Sequence, residues 1–311
     1  LGLNNKIKFA LGANYDGNPG AYAELAVRQG GNISYLGHAN YVGAKWETGD
    51  TGFQTFNDEG VQENLVAMLT GMKDLIDTAT ATRDTLNSTE GTHYQVHAYE
   101  GGPSGYWMAD DPEVDELYGK SGATGLAALD AWLYSSLKGY KHQCYLGYSC
   151  GKWWSSHTPP ELGGLRPHIG WLALKLRNKY ALGDNMLSVV ENSMPTYFRD
   201  DDEGGKDVPL IGVYALKDDS SDNFYVFVLS RKLDGTHDGV DFGDGYTPVT
   251  LHLPFTDPNS ITLYKLAEPD GTPHDPRTNN REALNVTIVS ESIDTQYFSQ
   301  DFVVNENTGA G

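Results

Sequence analysis

The sequence contains far fewer basic than acidic residues. Its 311 residues include 22 Lys and Arg against 42 Asp and Glu, so the formal net charge is -20 at pH 7. A surface of this charge repels the phosphate backbone of nucleic acids and an anionic membrane surface. We therefore expect neither nucleic acid nor membrane as a partner. Such acidity suits a secreted protein, which is the localisation we expect.

Long apolar runs are also absent. No run approaches the about 18 apolar residues that a membrane span needs, and the N-terminus has no signal-peptide pattern. The first residues, "LGLNNKIKFALGANY", begin instead within a predicted strand. From this abrupt start we expect that sequence upstream of Leu1 is missing.

Cysteine is scarce, with only Cys144 and Cys150. In one continuous strand six residues would separate the two by about 20 Å, beyond disulfide reach, whereas a tight turn at Gly147 would allow a bond. The pairing therefore stays open. No second ligand pair stands at a zinc-binding spacing, and we expect no metal and no cofactor. The lack of a Gly-x-Ser-x-Gly motif argues against an esterase.

Strand-like and helix-like segments alternate through the first half of the chain. Predicted strands cover 6–15, 33–43, 93–99 and 142–150, and predicted helices cover 21–30, 59–87, 119–140 and 167–184. Helices long enough to cross over between strands indicate parallel βα units of an α/β sheet or (β/α)8-type barrel. Four strands cannot close such a barrel, so we expect residues 1–185 to form only half of one.

The pattern changes near residue 186. Short β-rich runs such as "LIGVYAL", "FYVFVLSRK" and "SITLYKLA" are separated by acidic, turn-rich stretches. This pattern predicts an all-β antiparallel sandwich over residues 186–304. Residues 305–311 are predicted to be a tail or linker.

Polar and aromatic residues gather at the ends of the predicted strands, where (β/α)8 barrels carry their functional groups. Glu100 leads these candidates, because the strand 93–99 ends in this acid and Gly101-Gly102-Pro103 follow at once. A rigid strand end gives a carboxylate a fixed direction. Retaining glycoside hydrolysis needs one such carboxylate as nucleophile and a second as acid/base about 5 Å away. A surface or helix-capping glutamate is the alternative.

Sugar recognition calls for hydrogen-bonding groups and aromatic surfaces near the nucleophile. Tryptophans in loops after strands are expected to bind sugar, whereas Trp132 and Trp171, at helix positions, are expected in the core. The predicted substrate-binding residues are His38, Asn40, Tyr41, Trp46, Glu47, His97, Trp107, Tyr148, Trp153, Trp154 and His157.

This constellation resembles the C-terminal half of a clan A retaining glycoside hydrolase. In that clan the nucleophilic glutamate ends strand 7, as Glu100 does in "HAYEGG". Strand 6 supplies a tyrosine that hydrogen-bonds the nucleophile, as Tyr41 in "GHANY" would. Strand 8 leads to a sugar-stacking tryptophan, which "YSCGKWW" resembles. Many relatives, among them β-xylosidase-like and arabinofuranosidase-like enzymes, carry a β-sandwich after the barrel. The resemblance implies a carbohydrate substrate and no cofactor.

The sequence departs from the clan at one point. There the acid/base glutamate follows an asparagine at the end of strand 4, and no Asn-Glu pair precedes residue 15 here. We therefore expect the acid/base upstream, in an N-terminal half-barrel that would be the partner of this chain. The chain as given would then be a fragment and an incomplete enzyme. Glu47 is the candidate for a second carboxylate within the chain.

Two other functions stay open. A non-catalytic glycan-binding or scaffold protein would keep the fold without the acid/base. A lyase acting on uronic-acid polymers would use His38, Tyr41 or His97 near its base, but few Arg and Lys stand at the strand ends to neutralise an acidic substrate.

Overall fold

The fold is that of a computed structural model, which describes part of the chain. The described residues are 9–12, 33–43, 54–103, 111–148, 155–158, 165–183, 185–199, 205–233, 236–237, 240–241, 248–253, 258–268, 275–278, 286–295 and 301–305.

Four of the described strands form one parallel sheet in chain order, which confirms the predicted parallel α/β arrangement. They are β1 (Phe9–Gly12), β2 (Ile33–Val42), β3 (Gln95–Pro103) and β4 (His142–Gln143). Consecutive parallel neighbours with helical connections are typical of barrel-like βα units. The central pair, β2 and β3, remains paired to the last residue of both strands, Val42 with Pro103.

Two strand predictions need correction. β3 does not end before Glu100, because pairing with β2 continues through Gly101, Gly102 and Pro103. β4 is far shorter than the predicted 142–150. Beyond it the Leu146 amide still donates to the Gly101 carbonyl at 2.7 Å, but Gly147 has a φ of 70° and turns the chain away.

The connection from β2 to β3 is helical, as predicted, with a π-helical turn in its middle. It consists of α1 (Asp58–Ala67), the turn Met68–Met72 and α2 (Lys73–Thr89). Asn57 begins α1 because its side chain accepts a hydrogen bond from the Gly60 amide at 2.9 Å.

The predicted helix 119–140 is wrong at its start, since two helices lie in this region. They are α3 (Pro112–Gly119) and α4 (Gly122–Leu137). Ser121 separates them: its backbone is extended, and its hydroxyl accepts a hydrogen bond from the Thr124 amide as the N-cap of α4. α4 is buried around most of its circumference, which is typical of a helix packed between two layers.

The last helix is α5 (Ile169–Lys175), which continues in the π-helical turn Leu176–Tyr180. It ends short of the predicted residue 184. The Arg177 side chain satisfies the carbonyls beyond that end, donating to Ala181 at 2.8 Å and to Gly183 at 3.2 Å. Among the described residues, no helix is long and apolar enough to cross a membrane.

The main core lies between the parallel sheet and these helices. It contains side chains from β2, β3, the first π-helical turn, α2, α4 and α5, among them Val42, Val96, Ala98, Met68, Met72, Ile76, Ala127, Ala131, Trp132 and Leu174.

Beyond residue 185 the described strands pair antiparallel, as predicted, and no described segment there is an α-helix. A three-stranded sheet joins β5 (Asn185–Leu187), β8 (Ile211–Lys217) and β9 (Phe224–Ser230). The remaining strands form two-stranded pairs: β6 (Thr196–Arg199) with β7 (Lys206–Pro209), β10 (Thr236–His237) with β11 (Val240–Asp241), β12 (Pro248–His252) with β15 (Asp301–Asn305), and β13 (Ile261–Ala267) with β14 (Thr287–Ile293).

The β-rich part packs on the helices through a second core, in which Leu129, Leu133 and Ala173 meet Tyr214, Leu216 and Leu229. A buried ion pair crosses the same boundary. Arg231 donates to both carboxylate oxygens of Asp130 on α4, at 2.6 and 2.9 Å, and the Tyr214 hydroxyl donates to the same carboxylate at 2.6 Å. This fully satisfied pair fixes the β-rich part against the helical layer.

Candidate functional site

Glu100 owes its direction to a β-bulge. His38 of β2 pairs with Ala98 of β3, but the next residue of β2, Ala39, pairs with Glu100, so Tyr99 is an extra residue in the register of β3. Without the bulge, strict alternation would place Glu100 on the same face as Ala98, which packs on the helices. The inserted Tyr99 turns Glu100 to the opposite face.

This opposite face of the sheet also carries rings from three strands. The centroid of Tyr35 lies 5.5 Å from that of His97 and 5.5 Å from that of His142. Burial and the neighbouring His142 lower the pKa of His97, so its ring is held neutral. Tyr41 shares the face, since it lies two residues beyond Ala39, the partner of Glu100. The structure thus brings the predicted residues Tyr41, His97 and Glu100 to one face.

Two other predicted residues of β2 lie on the helical side of the sheet. The His38 ring contacts the Tyr140 hydroxyl, and burial lowers its pKa to about 4. The Asn40 side chain is buried and donates to Ser135 Oγ on α4 at 3.2 Å. Because neighbouring residues of a strand point to opposite faces, His38 and Asn40 are not brought together with Tyr41 and Glu100.

The glycines after Glu100 are required by close packing. A Cβ atom at Gly101 would lie 2.4 Å from the Asn40 carbonyl oxygen. Gly102 has a φ of +136°, and a Cβ atom there would lie 3.2 Å from the Tyr145 ring. Only glycine lets β3 approach its neighbours this closely at the point where Glu100 is presented.

A second group of predicted residues lies beyond β4, at the end of the sheet where Glu100 stands. The turn carrying His157 returns to Tyr148: the His157 amide donates to the Tyr148 carbonyl at 2.9 Å, and the Ser156 amide donates to Gly147 at 3.1 Å. The two ring centroids lie 4.4 Å apart, with the ring planes tilted by 40°. Tyr148 is exposed, whereas His157 is buried and its Nδ1 lies 2.9 Å from Ser156 Oγ.

Two residues near this turn were not predicted to belong to the site. Trp171, expected in the core, is partly exposed in the first turn of α5, with its ring centroid 5.4 Å from that of His157. His168 is buried and holds the turn: its Nδ1 donates to the Ser155 carbonyl at 2.7 Å, and its Nε2 accepts from the Thr158 hydroxyl at 3.1 Å. Burial lowers the pKa of His168 to about 3, which keeps this neutral tautomer. No sequence signal marks His168, because His is not a preferred N-cap residue and its ring makes no capping hydrogen bond.

Other predictions concern residues outside the described part of the chain. These are Trp46, Glu47, Trp107, Trp153 and Trp154, the helix 21–30, and the pairing of Cys150 with Cys144, which is itself exposed. Within the described ranges, no group of three or more His, Cys, Asp or Glu side chains could hold a metal ion.

The fold is similar to that of solved glycoside hydrolases. A GH51 arabinofuranosidase from Xanthomonas axonopodis pv. citri matches with a TM-score of 0.66 and 15% identity, over 97% of this chain and 56% of that chain. A GH51 alpha-L-arabinofuranosidase from Thermotoga petrophila RKU-1 matches with a TM-score of 0.62 and 14% identity, over 97% and 56%. A GH44 endoglucanase from Clostridium acetobutylium ATCC 824 matches with a TM-score of 0.54 and 12% identity, over 94% and 49%.

The sequence matches no protein-family model and no curated protein. At the identities above, the structural likeness shows the fold alone. The chain spans about half the length of these solved structures. The predicted resemblance to the fold of clan A glycoside hydrolases is thereby confirmed.

Proposed function

We propose that the chain belongs to a retaining glycoside hydrolase and that Glu100 is its nucleophile. The observation that carries the proposal is the bulge at Tyr99, which turns Glu100 away from the helical core at the C-terminal end of β3. Bulges that re-aim a side chain are common next to active sites, and barrel enzymes place their catalytic groups at this end of the sheet.

In this proposal residues 1–185 are the C-terminal half of a (β/α)8 barrel, residues 186–304 an antiparallel β-sandwich and residues 305–311 a tail or linker. Four parallel strands in chain order, and matches that span about half of each solved hydrolase, support the half-barrel. The partner would be an N-terminal half with four more βα units. The acid/base would come from that half, with Glu47 as the alternative within this chain.

The chemistry follows from a pair of carboxyl groups. Glu100 attacks the anomeric carbon while the acid/base protonates the departing glycosidic oxygen, and a glycosyl ester forms on Glu100. The same acid/base then takes a proton from water, which attacks the anomeric carbon and releases Glu100 with retention of configuration. Tyr41 would donate a hydrogen bond to the carboxylate and hold its direction. The scheme requires no cofactor.

The proposed substrate is a neutral polysaccharide or oligosaccharide. The net charge of -20 opposes binding of an anionic glycan, of nucleic acid or of an anionic membrane. This acidic charge also suits a secreted protein, which would meet such polymers outside the cell. The substrate would contact Tyr41, His97, Tyr148 and His157 together with Trp46, Glu47, Trp107, Trp153 and Trp154. Because His38 and Asn40 face the helices, we assign them to positioning β2.

The test is kinetic, on the full-length protein that the gene encodes. Glu100→Gln is compared with wild type and with Glu90→Gln, which changes an exposed acid at the end of α2. We expect Glu100→Gln to lower kcat by about a thousandfold or more, because it removes the nucleophile, and Glu90→Gln to have no effect. Normal turnover in Glu100→Gln would overturn the assignment.

A non-catalytic glycan-binding or scaffold protein is the second candidate, because such a protein would keep the fold without an acid/base. It predicts glycan binding without any hydrolysis by the full-length protein. Hydrolysis that depends on Glu100 would exclude it.

A further inference from the structure

Three aromatic side chains contact one another beyond β4 in a cluster that we term the ring platform: Tyr148, His157 and Trp171, with neighbouring rings tilted by 40° and 58°. The ring centroid of His157 lies 4.4 Å from that of Tyr148 and 5.4 Å from that of Trp171. Tyr148 is 56% exposed and Trp171 36% exposed, on either side of the buried His157. The platform therefore presents two accessible rings joined by a buried one.

The middle ring is held in place from several sides. Ser156 Oγ lies 2.9 Å from His157 Nδ1, and the His157 amide is bonded to the Tyr148 carbonyl. His168 fixes the ends of the same turn through its bonds to the Ser155 carbonyl and the Thr158 hydroxyl. The Trp171 ring makes an edge-to-face contact with Tyr145, with ring centroids 6.2 Å apart. A platform fixed in this way loses little conformational entropy when a ligand binds.

The platform lies close to Glu100. The Leu146 amide donates to the carbonyl of Gly101, the residue after Glu100. Tyr148 follows Leu146 by two residues and so lies at most about 7 Å further along the chain. The platform and Glu100 thus stand at the same end of the sheet, on neighbouring segments.

Its chemistry suits a sugar ring. The apolar C–H face of a sugar packs on an aromatic ring, while its hydroxyl groups reach polar atoms at the ring edges. Here the exposed rings of Tyr148 and Trp171 supply the apolar faces. The strongly acidic chain disfavours an anionic sugar. A neutral sugar is the occupant that these features favour.

We propose that the ring platform is a sugar-binding subsite that holds a further unit of a neutral oligosaccharide, beside the sugar that reacts at Glu100. The substrate would then be a chain of sugars rather than a single-sugar glycoside. Sugar binding by the platform stands on the geometry above, whereas its place beside a reacting sugar rests on the proposed function. Trp171 becomes a specificity-determining residue that the sequence had placed in the core.

The first test measures binding by the full-length protein that the gene encodes. Isothermal titration calorimetry with arabinopentaose, xylopentaose and cellopentaose compares wild type with Tyr148→Ala and Trp171→Ala. We expect at least one pentasaccharide to bind and each alanine variant to weaken its Kd about tenfold through loss of ring contact. Tyr148→Phe and Trp171→Phe keep a ring and should bind within about twofold of wild type.

Tyr264→Ala is the matched control, because Tyr264 is also an exposed tyrosine whose ring contacts another ring, that of Tyr180. It should bind like wild type, and circular dichroism verifies that each variant is folded. Wild-type affinity in folded Tyr148→Ala and Trp171→Ala would overturn the proposal. Failure of all three pentasaccharides to bind folded wild type would overturn it as well.

The second test separates the platform from the proposed function, using the full-length protein. Tyr148→Ala should lower the ratio of kcat/KM for the pentasaccharide to that for a nitrophenyl glycoside about tenfold. Glu100→Gln should abolish turnover of both while keeping the pentasaccharide Kd. If pentasaccharide binding depends on Tyr148 but turnover does not depend on Glu100, the result supports sugar binding by the platform and overturns the proposed function. If the ratio of the two kcat/KM values is unchanged in Tyr148→Ala while turnover depends on Glu100, the subsite proposal is overturned and the proposed function stands.

Discussion

Ala39 pairs with Glu100 across β2 and β3, although the preceding pair is His38 with Ala98. The extra residue, Tyr99, decides which face of the sheet carries the acid. Ala98 packs against the helices, so the shift turns Glu100 away from that core. The same shift keeps Glu100 on the face that carries Tyr35, His97 and Tyr41.

Deletion of Tyr99 tests this relationship. It restores strict alternation and turns Glu100 toward the helices, where an unpaired carboxylate is strongly unfavourable. We expect the free energy of unfolding in urea to fall by about 3 kcal/mol or more, because burial of an unpaired charge is among the most destabilising single changes. Tyr99→Ala keeps the inserted residue and should cost about 1 kcal/mol. Equal losses for the two variants would show that the bulge does not set the direction of Glu100.

Gly101→Ala tests the close approach of β3 to β2. The added Cβ atom would lie 2.4 Å from the Asn40 carbonyl oxygen, and a backbone atom cannot move aside easily. We expect a loss of about 3 kcal/mol in the free energy of unfolding. Gly91→Ala is the control: the added atom meets nothing within 4 Å, and only the left-handed φ of +62° opposes it, at about 1 kcal/mol.

Asp130→Asn tests the buried pair that joins α4 to the β-rich part. The change leaves the Arg231 guanidinium buried without its counter-charge, and we expect the free energy of unfolding to fall by about 3–5 kcal/mol. Asp84→Asn breaks the exposed pair with Arg83 and should cost no more than about 0.5 kcal/mol. Similar values for the two variants in denaturant unfolding would contradict the assigned role of Asp130.

The pH dependence of stability follows from two buried histidines. Burial lowers the pKa of His38 to about 4 and that of His168 to about 3, both below the ordinary value of 6.5. The unfolded chain therefore binds more protons below pH 6.5, and stability is complete above that pH and falls as the pH drops toward 4 and then 3. Each histidine contributes a slope of up to about 1.4 kcal/mol per pH unit within its window.

Urea unfolding between pH 7 and pH 4.5 measures this effect. His168→Gln should flatten the profile, whereas His93→Gln, at an exposed position, should leave it as in wild type. A wild-type profile in folded His168→Gln would show that another group is responsible.

The sequence predicted the order of the elements well, because hydrophobic periodicity survives in strands and helices that bury one face. The parallel first half, the antiparallel second half and the fold resemblance are confirmed by strand pairing and by the solved structures. The errors in the predicted bounds of one helix and one strand were each caused by a single residue. Ser121 separates α3 from α4 as an N-cap, and Gly147 turns the chain after β4.

The arrangement of the candidate site was less predictable, since it depends on which face each strand residue occupies. Alternation counted from the sequence cannot include the Tyr99 bulge, which exists only in the pairing with β2. Motif reading also grouped His38 and Asn40 with Tyr41, although they point to opposite faces. The helical spacing of Trp171 is that of a core residue. In the structure its side chain is instead partly exposed and contacts His157, which a distant turn brings to it.

Identification of the residue that carries a covalent glycosyl intermediate tests the central claim most directly. The full-length protein is incubated with an activated 2-fluoroglycoside, which slows release of the intermediate, then digested with a protease and analysed by tandem mass spectrometry. We predict a glycosyl ester on Glu100 in wild type and no adduct in Glu100→Gln. An adduct on another residue, or glycoside turnover without any adduct on Glu100, would contradict the account.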